Sequence, residues 1–161
     1  MYSRFINLDK DHKGFLSRND FLRIPELAIN PLGARIVDSF FRETIDEQVN
    51  FFQFMKTLAV FRPVKPKEKD LETAINSRIS KLLFAFKLYD LDCDETITKE
   101  EILNVLQMMV GDNISDEQLS SIADRAIQEA NPDGHIITFN EFVKVMSKTD
   151  VEQKMSIRFL H

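Results

Sequence analysis

Hydrophobic residues recur at intervals of three and four along most of the chain, which is the spacing of amphipathic helices and not of strands. Such stripes run through Leu32–Phe41, Phe51–Phe61, Ile79–Phe86, Ile102–Met109 and Leu119–Ala130. More polar stretches separate them. The pattern predicts an all-α fold in which helices are joined in pairs by polar loops.

The polar loops share an internal repeat, an apolar residue followed four positions later by the residue that closes the loop. The four pairs are Leu16 and Asp20, Val49 and Gln53, Ile97 and Glu101, and Ile137 and Glu141. The repeat predicts four helix–loop–helix units. We expect short β pairings between loops, with residues 136–138 beside residues 96–98.

The four units group into two pairs, because the intervals between their apolar positions are 33, 48 and 40 residues. The longest interval contains residues 62–76, where prolines and alternating charges break the helical periodicity and predict a solvated linker. We therefore predict two lobes. Residues 1–61 form an N-terminal pair of degenerate units, and residues 77–161 form a C-terminal pair with a final helix.

One loop, Asp90–Glu101, carries a complete set of oxygen ligands for a hard divalent cation. The predicted ligands are the carboxylates at its first, third, fifth and twelfth positions and the backbone carbonyl at its seventh: Asp90, Asp92, Asp94, Glu101 and Thr96. This is the pattern of an EF-hand calcium loop. We predict one Ca²⁺ site here, for which Mg²⁺ competes. Glu95 stands at the sixth position, where the left-handed turn favours glycine and another residue costs about 1–2 kcal/mol.

The other three loops depart from this pattern. The first, Asp9–Asp20, keeps several ligand positions but has Lys13 at the fifth, and the second, Arg42–Gln53, begins with a cation and ends with a neutral amide. We interpret the second unit as structural. The fourth loop, Asn131–Glu141, has eleven residues instead of twelve. A second, weak calcium site there would use Asn131, Asp133, His135 and Glu141.

Composition and charge exclude several classes of function for this protein. A net charge of −5 disfavours nucleic acid as a ligand. A single cysteine excludes an internal disulfide, and no apolar run reaches the length of a membrane span. Three histidines and one cysteine lie far apart in the sequence, so no nucleophile and base can be assembled from them, and we predict that the chain is not an enzyme.

A pair of EF-hands that opens on binding calcium exposes a groove lined by flexible Met and Phe side chains, which accepts a partner helix. Apolar residues of the C-terminal pair are the candidates for such a groove: Leu83, Phe86, Leu103, Leu106, Met108, Met109, Val110, Ile122, Phe142, Val145 and Met146.

Several stretches resemble the calcineurin B homologous proteins, and most closely the ubiquitous member of that family. They are Arg23–Gly33, Asn76–Arg78, Tyr89–Asp92, Met108–Gly111, Asn113–Leu119 and Asp150–His161. The resemblance implies a cytoplasmic subunit that clamps an amphipathic helix of a plasma-membrane sodium/proton exchanger and supports exchanger activity. It also implies calcium in the third and fourth loops.

The resemblance carries further expectations about partners and location. The protein would reach the plasma membrane only through its partner, and nuclear shuttling is also implied. Members of the family begin with a lipid-accepting glycine and a further helix, whereas this chain begins Met1-Tyr2, so we expect it to lack that N-terminal segment. Two other hypotheses are a regulator or inhibitor of the phosphatase calcineurin, through its catalytic subunit, and a simple calcium buffer.

Overall fold

The computed structural model describes residues 1–63 and 74–155, apart from the side chains of residues 152 and 153. The helices are α1 (Tyr2–Leu8), α2 (Arg18–Leu22), α3 (Pro25–Ala28), α4 (Gly33–Phe41), α5 (Phe51–Ala59), α6 (Arg78–Tyr89), α7 (Lys99–Val110), α8 (Asp116–Ala130), α9 (Phe139–Val145) and α10 (Val151–Lys154). The strands are β1 (Phe15–Leu16), β2 (Val49–Asn50), β3 (Thr96–Thr98) and β4 (Ile136–Thr138). The predicted fold, helical with short strand pairs, is confirmed.

The four helices that leave the polar loops, α2, α5, α7 and α9, begin in the same way. In each, a capping box joins the residue before the helix to the residue that closes the loop: Ser17 and Asp20, Asn50 and Gln53, Thr98 and Glu101, Thr138 and Glu141. Such a cap stabilises a helix by about 1 kcal/mol. The closing residue of every loop therefore has a structural role, whether or not the loop can bind a metal.

The repeated apolar positions join the loops in pairs. β1 pairs antiparallel with β2, which sets Leu16 opposite Val49, and β3 pairs antiparallel with β4, which sets Ile97 opposite Ile137. All four side chains are buried. The predicted pairing of residues 96–98 with residues 136–138 is thus present, and the apolar residue of the repeat anchors each strand in the core.

In the described part of the chain, most of the buried hydrophobic residues belong to two clusters. The first contains Phe5, Leu16, Phe21, Val37, Phe40, Phe41, Val49 and Phe54. The second contains Phe86, Ile97, Ile102, Ala123, Ile127 and Ile137. In the first cluster, the ring of Phe21 lies 4.6 Å from that of Phe40 and 6.2 Å from that of Phe54, measured between centroids. The phenylalanine-rich composition is therefore used for internal packing.

Helix α6 is bonded to the N-terminal half of the chain at both ends. Near its start, the buried Lys81 donates from Nζ to the carbonyl oxygens of Val60 and Arg62, at 2.7 and 3.0 Å. At its end, the Arg35 guanidinium of α4 donates to the carbonyls of residues 87, 88 and 90, at 3.3, 3.3 and 3.0 Å. Arg42 also donates to the carbonyl of residue 87. These bonds fix α6, and with it the start of the third loop.

Two sequence predictions are not tested by these features. Most of the predicted linker, residues 64–73, lies outside the described residues, so the division into two lobes stays a prediction. The same holds for the end of the predicted final helix, at residues 156–161. Within the part of the chain that is described, no helix has both the length and the apolar character to cross a bilayer.

Candidate metal centre

The third loop brings three carboxylates together. Asp90, Asp92 and Asp94 each place an oxygen within 4.8 Å of those of the other two. No other group of three His, Cys, Asp or Glu residues converges in this way among residues 1–63 and 74–155. Three of the predicted ligands thus meet at one point. Oxygen atoms from carboxylates are the ligands that Ca²⁺ prefers.

Asp90 shows that this point suits a cation. Its side chain is 4% exposed, and its Oδ1 is buried without a hydrogen-bond partner. In the described part of the chain, this Oδ1 is the one buried side-chain nitrogen or oxygen that has no hydrogen-bond partner. A buried polar atom left unpaired costs about 1–3 kcal/mol, and a cation would satisfy it. The donor set of the loop therefore fits calcium.

Glu101, the closing residue, lies outside the group of three but is held across the loop. Its Oε1 accepts a hydrogen bond from the backbone N–H of Leu91 at 2.7 Å, and its Oε2 accepts one from the N–H of Thr98 at 2.8 Å. The carboxylate is therefore buried beside the residue that follows Asp90. Thr96, whose carbonyl is the remaining predicted ligand, begins β3.

The interior of the loop is ordered by its own carboxylates. Asp94 Oδ1 accepts hydrogen bonds from the N–H and the hydroxyl of Thr96, both at 2.8 Å, and Asp92 Oδ1 accepts one from the N–H of Asp94 at 3.2 Å. Glu95 has a φ of 71° and Cys93 a φ of 64°. The left-handed turn expected at the sixth position is therefore present with a non-glycine residue.

The fourth loop is arranged differently. The side-chain amide of Asn131 donates to the carbonyl of Ile136 at 3.2 Å. Ile136 directly precedes the repeated apolar residue, which is the position whose carbonyl serves as a ligand in a twelve-residue loop. Asn131 lies so close to Gly134 that a Cβ there would be 2.2 Å from the amide nitrogen. An amide of the chain therefore engages an oxygen that a bound cation would need.

The remaining predicted ligands of the fourth loop do not converge. Asp133 and His135 are exposed, and Glu141 accepts hydrogen bonds from the N–H and the hydroxyl of Thr138, at 2.7 and 2.8 Å. The backbone bond, with the hydroxyl bond, lowers the pKa of Glu141. Among the described residues, the fourth loop thus has no group of converging carboxylates like that of the third loop. A second calcium site stays a prediction.

Comparison with known proteins places the fold and the loops in a family. Residues 79–147 match the EF-hand domain pair family. The calcineurin B subunit of Naegleria gruberi is 46% identical over 98% of this chain and 83% of its own length. The type 1 calcineurin B subunit of Dictyostelium discoideum is 39% identical over 99% of this chain and 83% of its own length. The calcineurin B subunit of Yarrowia lipolytica is 41% identical over 96% of this chain and 83% of its own length.

The chain belongs to the calcineurin B-type family of EF-hand proteins. The helix–loop–helix repeats are thereby EF-hands, and Asp90–Glu101 is the EF-hand loop with a full ligand set. The narrower resemblance to calcineurin B homologous proteins, with its missing N-terminal segment, stays a prediction. So does the absence of catalytic activity, with which the names of these relatives agree.

The residues predicted to line a partner groove on the C-terminal EF-hands differ in exposure. The exposed ones are Leu83, Met108, Met109, Ile122 and Val145. The half-buried ones are Leu103, Leu106, Val110, Phe142 and Met146. Phe86 is buried in this structure, since it is 2% exposed and its ring packs 5.5 Å from those of Phe139 and Phe142. The groove itself stays a prediction.

A second groove, which the sequence patterns did not predict, lies between α6 and the N-terminal EF-hands. Its apolar lining includes Phe40, Val60, Ile75, Leu83 and Phe84, and its charged lining includes Arg42, Glu43, Lys56 and Lys87. Of the apolar residues, Ile75 and Leu83 are exposed. Burial lowers the pKa of Arg42. The groove is built from residues distant in sequence, and no local motif marks it.

Proposed function

We propose that this protein is a calcium-binding regulatory subunit of the calcineurin B type, which holds an amphipathic helix of a larger partner. The observation that carries the proposal is the carboxylate group of the third loop, with the unpaired Oδ1 of Asp90 at its buried edge. The family membership supports the same conclusion.

In this proposal, Asp90, Asp92, Asp94, Glu101 and the Thr96 carbonyl hold one Ca²⁺. The ion neutralises carboxylates that otherwise repel one another and ties the end of α6 to the start of α7. Mg²⁺ competes for the same oxygens, although its smaller size demands a stricter geometry.

The first partner that we propose is the catalytic subunit of a calcineurin-type phosphatase. The relatives are named as B subunits of calcineurin, and their similarity covers almost the whole of this chain. The exposed apolar side chains Met108 and Met109 on α7, Ile122 on α8 and Leu83 on α6 offer contacts for the apolar face of a helix.

A second candidate partner is a cytoplasmic helix of a sodium/proton exchanger. It is supported by the stretches that resemble calcineurin B homologous proteins, one of which, Met108–Gly111, contains two of the exposed methionines. In that case the protein is cytoplasmic, reaches the plasma membrane only through the exchanger, and shuttles to the nucleus as the resemblance implies.

Native mass spectrometry with the two helices as synthetic peptides, with calcium and with EDTA, tests these proposals. We expect one calcium per chain and a calcium-dependent complex with the peptide from the calcineurin catalytic subunit. A complex with the exchanger peptide, but not with the calcineurin peptide, would favour the second partner. Calcium uptake without either complex would indicate a buffer and contradict both.

A pair of variants tests the site itself. Glu101→Gln removes the closing carboxylate and should abolish most calcium uptake, because the twelfth position is the main anionic ligand of the loop. Glu100→Gln, which changes the exposed neighbour, is the matched control and should bind calcium as the wild type does. Unchanged calcium stoichiometry in Glu101→Gln would show that the ion binds elsewhere.

A further inference from the structure

The first EF-hand loop, Asp9–Asp20, differs from the third in how its first carboxylate is used. Both oxygens of the buried Asp9 accept hydrogen bonds from the loop itself: Oδ1 from the N–H of Lys13 at 2.9 Å, and Oδ2 from the N–H of Gly14 at 2.7 Å. The equivalent residue of the third loop, Asp90, keeps an unpaired oxygen. The first position of the first loop therefore has no unpaired carboxylate oxygen that a cation would satisfy.

The ammonium group of Lys13 lies among the other ligand positions of the first loop. Lys13 Nζ is 2.9 Å from Asp20 Oδ2, at the twelfth position, and 3.9 Å from Asp11 Oδ2, at the third. It also lies 5.3 Å from the centre of the Phe15 ring. A positive charge thus bridges the two carboxylates that a calcium ion would join.

The closing residue Asp20 makes the same capping bonds as Glu101 does with Thr98, and it differs from Glu101 by its bond to Lys13. Its carboxylate is 2% exposed, and besides Lys13 it accepts hydrogen bonds from the N–H and the hydroxyl of Ser17, at 2.8 and 2.7 Å. The hydrogen bond to Asp20 raises the pKa of Lys13, because the bond stabilises the charged ammonium. A calcium ion could bind here only if it displaced this ammonium from a buried carboxylate, because otherwise two cations would lie beside each other.

We propose that Lys13 takes the place of calcium in the first loop, so that this EF-hand is closed by its own side chain whether or not calcium is present. The two loops then have different tasks. The third loop responds to calcium, and the first holds its helices in one arrangement at any calcium concentration. This property of the N-terminal EF-hand does not depend on which partner the protein binds.

Hydrogen–deuterium exchange of the wild-type chain tests the proposal directly, by comparing peptides that cover residues 9–20 and residues 90–101 in calcium and in EDTA. A loop that closes only around the ion gains about a hundredfold protection when free calcium is 100 times its dissociation constant. We expect such a gain in residues 90–101 and none in residues 9–20. A similar gain in both peptides would overturn the proposal, whereas no gain in residues 90–101 would count against the proposed function instead.

A matched pair of variants tests the role of the ammonium. Lys13→Asp restores a carboxylate at the fifth position and should add one calcium per chain in native mass spectrometry, with exchange in residues 9–20 that now depends on calcium. Lys10→Asp makes the same change of charge at an exposed position of the same loop and should add none. Equal calcium counts in the two variants would contradict the proposal. If Lys13→Asp does not fold, Lys13→Asn replaces it, and the wild-type comparison still decides.

Discussion

At the scale of single residues, equivalent positions of two EF-hand loops show opposite states. Asp9 has both oxygens paired by backbone N–H groups, whereas Asp90 has one buried oxygen without a partner. Both side chains are aspartates at the first position of a loop, and both are buried. Their surroundings alone decide which one is available to an ion.

We predict that Asp90→Asn stabilises the protein in EDTA while it weakens calcium binding. Replacing a buried carboxylate whose Oδ1 has no hydrogen-bond partner, and which lies beside two other carboxylates, should raise the free energy of unfolding by about 1 kcal/mol. The same change removes a calcium ligand. Urea unfolding in EDTA and calcium counting by native mass spectrometry measure the two effects. Asp46→Asn, at an exposed site in the second loop, is the control and should change neither; a less stable Asp90→Asn would contradict the prediction.

A second residue-scale prediction concerns the left-handed turns at Glu95 and Glu47. Both stand at the sixth position of their loops, with φ values of 71° and 52°. Because the second loop lacks an acidic residue at either end, the turn belongs to the fold of the loop and not to the ion. Glu95→Gly and Glu47→Gly should therefore each stabilise the protein, by at most about 1 kcal/mol once the greater freedom of glycine in the unfolded chain is counted.

Thermal or urea unfolding of the two glycine variants in EDTA measures this effect. In Glu95→Gly, the free energy of calcium binding, measured by titration calorimetry, should change less than the free energy of unfolding does. A large gain in affinity without a gain in stability would show that the strain arises only when the ion binds.

At the scale of elements, the capping boxes join each loop to the helix that follows it. Burial alone would raise the pKa of Asp20, but hydrogen bonds from Ser17 and Lys13 together lower that pKa below its usual value of 3.8. A carboxylate whose pKa is depressed by folding contributes stability that is present above its unfolded pKa and is lost as the pH falls through the folded one. The cap of α2 is therefore a source of acid sensitivity.

We predict that the stability difference between the wild type and Asp20→Asn closes in acid. Above pH 3.8 the wild type should be the more stable protein, because only it keeps the ionised carboxylate at the cap. Below pH 3.8 this advantage shrinks, and it is lost as the pH falls through the lower pKa of Asp20 in the folded protein. Urea unfolding of both proteins between neutral and strongly acidic pH measures the difference, and a constant gap across this range would contradict the assignment.

The sequence predicted the elements better than the contacts between them. The apolar residue of the repeat located β3 and β4, because one buried position per loop suffices to fix a short strand pair. Helical periodicity could not separate Phe86, which is buried, from the exposed Met108, because both belong to apolar stripes. Nor could it show that Arg42, read as a missing ligand, contacts the end of α6, 45 residues further along the chain.

At the scale of the whole molecule, Arg35 of α4 and Arg42, which follows that helix, connect the N-terminal EF-hands to the end of α6 and the start of the third loop. Arg35 reaches three carbonyls at the end of α6, the last of them that of Asp90. These carbonyls lie at a helix C-terminus, where a cation is favoured. The start of the third loop is thus positioned by a residue that lies 55 positions before it.

We predict that Arg35→Ala destabilises the protein by about 1–3 kcal/mol, because the last carbonyls of α6 lose a charged donor. Amide exchange in the segment around residues 87–91 should also accelerate. Arg35→Lys should recover only part of the loss, since an ammonium cannot span three carbonyls as a guanidinium does. Arg4→Ala, at an exposed position of α1, is the control. Equal stability of the Arg35→Ala and Arg4→Ala proteins would show that these bonds contribute nothing.

The bonds along α6 have a mechanical consequence. Side-chain hydrogen bonds to backbone carbonyls hold this helix at several points. Lys81 bonds it to the end of the first EF-hand pair, and Arg78 bonds it to the carbonyls of Met146 and Thr149. Arg35 bonds to the carbonyls at its C-terminal end. In the proposed function, calcium binds in the loop that joins α6 to α7. Because α6 is held by these bonds and α7 carries the exposed Met108 and Met109, we expect calcium binding to move α7 more than α6.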